Sequence, residues 1–336
     1  MARRVPKAAF WKRTNVKYTT TAPVPNATTT TTTTNTSARV RAASAPAQSN
    51  ALHGQSMDLA KQMGATHYRY AFEIGWGLEA LDYIVAGCQS RGLKLLLCVF
   101  RSDRVLPVDS TAASSYASTV VSLLGRTNGL CTHVEFWNEP NNATFATTRS
   151  AADWARLVVA AHAAVKAAYP SIKTITGGLS PAGGAYQPNT WFLAACTANP
   201  SLINSFDYIG WHPYCFPHSP LGNESWNAMK QAVDLWNSLK TTYSKTAEFA
   251  ATEYGAPSSW TVTQFDGTHV FDEAKQATWI GYYKTAFNTR GPSWPLVSVF
   301  TIKDGNAGTG TAWEPSCGMW RSDATAKPAA SIVSTI

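Results

Sequence analysis

The sequence predicts an α/β fold: a (β/α)8 barrel over residues 37–336, preceded by an extended, basic, threonine-rich arm over residues 1–36. Three observations carry this. Strand-like and helix-like runs alternate along most of the chain. The strand-like runs are apolar without interruption, as strands of a parallel sheet covered on both faces are. The first 36 residues share neither pattern.

The arm comes first. "ATTTTTTTNTS" (Ala27–Ser37) is a threonine tract flanked by Pro, Ala and Ser, too poor in apolar side chains to fold alone. The opening "MARRVPKAAFWKR" has the charges of a secretion signal and no apolar run behind them, so a standard Sec signal is not expected. Of the chain's 28 basic residues, eight fall in the first 50, which hold no acid; that leaves 20 basic against 20 acidic for the rest. An arm of this composition cannot offset its own ordering entropy, and it is expected to dock on another chain in a homo- or hetero-oligomeric assembly, through strand addition by its threonines and charge complementarity.

The barrel follows. The first strand is expected within "SARVRAASA" (Ser37–Ala45), before a helix "ALHGQSMDLAKQMG" that stops at Gly64. The second strand is "THYRYAFEI" (Thr66–Ile74), and its helix ends at Gly92. "LKLLLCVF" (Leu93–Phe100), "THVEFW" (Thr132–Trp137), "KTITGGL" (Lys173–Leu179), "DYIGWHPY" (Asp207–Tyr214), "AEFAATEY" (Ala247–Tyr254) and "PLVSVFTI" (Pro295–Ile302) continue the strands, each separated from the next by a helix. A doubly wound open sheet would carry a glycine-rich phosphate turn after its first strand. "GNAGTG" (Gly305–Gly310) lies beyond the last strand and reads as a loop.

Composition narrows the function. No run of about 18 apolar residues occurs, which argues against a membrane-spanning helix. The positive balance belongs to the arm, and a neutral body without a basic stripe argues against nucleic acid as partner. Six cysteines show no metal-ligand spacing; Cys88 and Cys98 read as buried apolar residues, while Cys215 and Cys317 fall in expected loops and are candidates to pair. No metal or cofactor is called for.

In such a barrel the carboxyl ends of the strands carry the chemistry. Those ends present Arg69; Asn138 and Glu139; His212 and Tyr214; Glu253; and Lys303 and Asp304. "WNEP" brings Glu139 to the mouth and Pro140 stops the strand there. Three strands later "ATEYGAP" does the same with Glu253. Two carboxylates facing each other across a barrel mouth suit glycoside hydrolysis, one as proton donor and one as nucleophile, with their carboxyl groups roughly 5–5.5 Å apart in retaining enzymes. Of 13 tryptophans, Trp76, Trp211, Trp260 and Trp313 fall in expected mouth loops, where aromatic faces stack on sugar rings.

"EFWNEPN" and "TEYGAP" resemble the acid/base and nucleophile motifs of clan A retaining glycoside hydrolases, and over roughly residues 51–336 the chain is similar to glycoside hydrolase family 39 and its cellulase-like relatives. "DWARLVVAAHAAVKAAYPSIKTITGGLS", "EAKQATWIGYYKTAFN" with "VSVFTIKDG", and "CGMWRSDATAKPAASIV" carry the rest of that similarity. The resemblance implies a carbohydrate substrate and a retaining O-glycosidase. It makes Glu139 the general acid/base and Glu253 the nucleophile. Asn138 would bind the sugar 2-hydroxyl, Tyr214 and Arg69 would orient Glu253, and His212 would lie beside Glu139. One departure stands out: where many relatives end strand eight on Trp, this chain has Lys303 and Asp304, which are expected, with Trp76, to touch substrate. The alternative is a virion protein, a phage-tail scaffold or glycan-binding module with a glycosidase-like barrel. Either reading places the protein in a virion or outside the cell, acting on a cell-envelope or other extracellular glycan.

Overall fold

A computed structural model of the protein describes residues 39–44, 50–305 and 313–336. The arm, and the docking and assembly expected of it, lie outside the described residues. Eight strands run in the order expected: β1 (Val40–Ser44), β2 (His67–Ile74), β3 (Lys94–Arg101), β4 (Cys131–Asn138), β5 (Lys173–Gly178), β6 (Tyr208–Trp211), β7 (Glu248–Tyr254) and, after a hairpin, β10 (Leu296–Phe300). All pair in parallel and close into a barrel in which β1 lies between β2 and β10. The first strand, sought within Ser37–Ala45, completes the ring by pairing Val40 with Leu296.

The helices are α1 (Asn50–Gln62), α2 (Leu78–Arg91), α3 (Ser110–Arg126), α4 (Ala151–Ala168), α5 (Pro188–Ala198), α6 (Ala228–Tyr243), α7 (Glu273–Thr289) and α8 (Pro328–Val333). Their starts follow side-chain caps. Asp109 accepts from the Ala112 amide, so α3 begins four residues before the "SSYAS" run that announces it. Asp272 caps α7 in the same way, and Gly92 ends α2 in the left-handed conformation that glycine adopts without strain.

Two apolar layers result. The larger lies between sheet and helices. The smaller gathers Ala42, Leu96, Ile175, Tyr208, Ala250 and Leu296 from six different strands; residues so distributed meet only inside the barrel. All six cysteines are buried and free, which corrects the pairing considered for Cys215 and Cys317. Cys215 instead donates to the Pro213 carbonyl, and Cys317 sits near the Trp313 carbonyl.

One element escaped the sequence reading. Residues taken as a mouth loop form an antiparallel hairpin, β8 (Trp260–Gln264) and β9 (Gly267–Phe271), between β7 and α7. Its signature was present: alternating "WTVTQ" and "GTHVF" around a Phe265–Asp266 turn, followed by Gly267 at φ 128°.

The lower half of the barrel makes stability depend on pH. His67 and His133 pack edge to face, 5.2 Å between ring centres, with the Thr132 hydroxyl within 2.8 Å of a nitrogen of each. Burial, and then Lys94, pushes His67 down to about 4; burial, and then His67 and Lys173, pushes His133 down to about 3. Burial brings His53 to about 4. Below about 6.5 the unfolded chain takes up protons that these folded sites refuse, so their contribution to stability is complete above that pH and is lost as the pH falls toward 4. At about 1.4 kcal/mol per pKa unit the expected loss is several kcal/mol. Chemical denaturation at pH 6.5 and 4.5 checks this. A His67→Gln/His133→Gln chain will show a flatter profile than wild type, whatever its absolute stability; equal slopes would refute the assignment.

Candidate active site

The mouth of the barrel brings together six of the residues singled out in the sequence. β4 delivers Asn138 and Glu139 through an unusual backbone: Trp137 and Glu139 stand at φ 83° and 45°, a region bulky side chains avoid and one that marks functional strand ends. The Trp137 ring is anchored by its indole N–H on the Phe145 carbonyl, and the Glu139 amide donates to the Gly178 carbonyl. These contacts hold the turn that aims the acid. β6 ends at Trp211, and Pro213 follows His212 at once. β7 carries Glu253 one residue before its end.

Arg69 organises the centre. Its guanidinium, 3% exposed, donates through Nε to Glu135 Oε2 (2.8 Å), through one terminal nitrogen to Glu253 Oε1 (2.7 Å) and through the other to Asn138 Oδ1 (3.0 Å). Tyr214 donates its hydroxyl to Glu253 Oε2 at 2.8 Å. Burial alone would push the Glu253 carboxyl up, but His212, Arg69 and the Tyr214 hydrogen bond outweigh it and hold the group below the ordinary carboxylate range. Glu253 is therefore an oriented anion.

Glu139 is held differently. Its Oε2 accepts from Asn142 Nδ2 (2.7 Å), and its Oε1 lies 2.9 Å from His212 Nδ1. The state of His212 follows from a chain behind it. The Thr252 hydroxyl donates to Glu135 Oε1 (2.8 Å), so its oxygen is left to accept from His212 Nε2 (3.1 Å). Nε2 therefore carries hydrogen, and the second imidazole position shares a proton with Glu139: it donates when Glu139 is ionised and accepts when Glu139 is protonated. Burial opposes charge on His212, but Glu253 and Glu139 outweigh it and raise its pKa.

Glu135, Thr252 and Asn142 were not anticipated. Glu135 is fully buried and accepts from Arg69, from Thr252 and from the Gly178 amide (2.9 Å). A signal for it existed: an acid stands inside the apolar run Val134–Trp137. Gly178 explains the paired glycines of "TGGL", since a Cβ there would collide with the His212 ring and the Thr252 hydroxyl.

Three other residues singled out in the sequence have partners of their own. Lys303 donates to Gln55 Oε1 of α1 at 2.7 Å. Asp304 accepts from the buried Lys327 (2.7 Å) and from the Gly318 amide (2.9 Å), a tie between the last loop and the C-terminal segment. Trp76 packs edge to face on Phe72. None of the three contacts Glu139 or Glu253 among the described residues. Trp211 is a core residue, its indole N–H on the Ala228 carbonyl, whereas Trp260 and Trp313 are half-buried at the rim.

One ligand atom each of Glu139, His212 and Glu253 lies within 4.8 Å of the others. By spacing alone these three could coordinate a cation; the Arg69 charge on Glu253 opposes it. What the arrangement supplies is an anion oriented by cationic and hydroxyl donors, facing a second carboxyl that shares a proton with an imidazole.

The fold is that of family 39 and other clan A (β/α)8 glycoside hydrolases. A family 39 glycoside hydrolase from the gut symbiont Bacteroides cellulosilyticus superposes with TM-score 0.66 at 18% identity, covering 88% of this chain and 63% of its own; this chain thus spans less than two thirds of that enzyme. Fungal β-1,4-galactanases match at TM-score 0.64 and 17% identity, over 84% of this chain and 91% of theirs. A monomeric β-xylosidase from Caulobacter crescentus matches at 0.62 and 13%, over 88% and 67%. No family model matches the chain, and no curated protein matches it in sequence.

Proposed function

We propose that the protein is a retaining O-glycosidase that cleaves a poly- or oligosaccharide by double displacement. The observation that carries this is the placement of Glu139 just past the end of the fourth barrel strand and of Glu253 near the end of the seventh, with a carboxylate oxygen of one within 4.8 Å of one of the other. That proximity suits the short gap of a retaining pair rather than the roughly 6.5–9.5 Å of an inverting one.

In this reading Glu253 attacks the anomeric carbon as the glycosidic C–O bond breaks, and the leaving oxygen takes the proton shared by Glu139 and His212. A water then gives its proton to Glu139 and its oxygen to the anomeric carbon, releasing Glu253. Asn138 spends its carbonyl oxygen on Arg69, which leaves its amide N–H free for the sugar 2-hydroxyl. Glu135 and Thr252 act through Arg69 and His212. An extracellular or envelope glycan remains the proposed substrate class; the virion reading rests on the arm.

Digestion of a glycan panel by wild type and by Glu253→Ala identifies the substrate. Proton NMR of the first minutes then reports the anomer: the product will appear with the configuration of the bond cleaved, before mutarotation. An inverted first product would refute double displacement, and equal digestion by both chains would refute the role of Glu253.

A further inference from the structure

We infer that the rim formed by the loop after β6 and the β8–β9 hairpin is a run of sugar-binding subsites that receives a neutral polysaccharide chain extending from the cleavage point. The inference rests on the glycosidase reading and names the form of substrate that site takes.

The hairpin follows β7, so it stands on the same face of the barrel as Glu253. Its turn presents Phe265, 79% exposed, beside Trp226 at 39%. Phe265 and Asp266 are the two residues of the turn, and a tip position calls for no aromatic ring. The Phe265 ring stacks over His218, 6.2 Å between centres and 21° between planes, and Trp226 meets His218 at 4.3 Å. The hairpin is held there by Gln264, whose side-chain oxygen lies 3.0 Å from His218 Nε2.

Aromatic rings lead from this tip back to the acids. Tyr214, which donates to Glu253, meets Trp313 at 5.4 Å; Trp313 meets Phe216 at 4.8 Å; Phe216 meets Trp260 at 5.7 Å and precedes His218 by two residues. Each of these rings is half-buried or exposed. A polar edge accompanies them: Asp266 with His269 at 2.9 Å. Pyranose rings offer apolar C–H faces and a hydroxyl edge, and aromatic faces flanked by hydrogen-bonding side chains match both. A protein partner would use the exposed tip but has no use for a ladder running to Glu253. Asp266 at the tip opposes an acidic sugar, which selects a neutral chain.

The test uses the full chain carrying Glu253→Gln, with and without Trp226→Ala/Phe265→Ser, in native gels containing soluble xylan, galactan, mannan or β-glucan. At least one polymer will retard the Glu253→Gln chain, and the rim substitutions will weaken its apparent affinity about tenfold. With Glu253 intact, the same substitutions will lower kcat/KM on that polymer about tenfold more than on the matching nitrophenyl monoglycoside. No retardation by any of the four, or equal retardation with and without the rim rings, overturns the inference. So does sedimentation showing that the substitutions split a dimer while glycan binding is unchanged, which would mark a contact between copies. Failure of the glycosidase reading looks different: polymer would still retard the chain, and wild type would cleave neither polymer nor monoglycoside.

Discussion

Glu253→Gln will lose turnover by roughly 10⁴–10⁶-fold on whichever glycan wild type cleaves, a loss of about 5–8 kcal/mol in transition-state stabilisation. The amide matches the carboxylate in shape but lacks the charge that attacks the anomeric carbon. The fold will survive. Arg69 loses one anionic partner and keeps the other, Glu135, so its buried charge is not orphaned. The amide oxygen can still accept from Tyr214 or Arg69. Single-turnover kinetics beside circular dichroism makes the check. Activity within tenfold of wild type in a folded variant would remove Glu253 from the nucleophile's role.

Glu139→Ala will produce a different pattern. Hydrolysis of substrates with poor leaving groups will fall about 10²–10⁴-fold, the usual contribution of a positioned proton donor, while dinitrophenyl glycosides, which depart unprotonated, will form the glycosyl-enzyme at near wild-type rates. Their turnover then stalls at the second step, which also uses Glu139, and azide will restore it as an anion that needs no base. The product will be a glycosyl azide of retained configuration. If dinitrophenyl and natural substrates suffer equally and azide does nothing, Glu139 is not the acid/base. The vacated side of His212 leaves Nδ1 3.6 Å from Glu253 Oε2, so the imidazole keeps a carboxylate neighbour and the site does not collapse.

Much of this site could be read along the chain because its signals are local. Glu139 is marked by an apolar strand that ends on Asn, Glu and Pro, and Glu253 by the same device three strands later. Arg69 stands out as a charge inside a strand-like run. Tyr214 and His212 alternate at the end of another. What was missed depended on partners. Glu135 lies in plain sight in "VEFW", yet its task follows from three donors on β2, β5 and β7. Lys303 and Asp304 lie beyond the last strand, which ends at Phe300, and their contacts with Gln55 and Lys327 join segments apart in sequence.

The sequence by itself determined the succession of strands and helices and the placing of Glu139 and Glu253 at strand ends, because apolar periodicity, caps and strand-stopping prolines act over a few residues. Tertiary structure alone decided the closure of β1 against β10, the Glu135–Thr252–His212 chain, the free state of the cysteines and the path of rings from Tyr214 to the hairpin tip. Each of those depends on register between segments remote in the chain. A one-residue slip along any strand would turn its side chains to the other face, and no local pattern records which partner waits there.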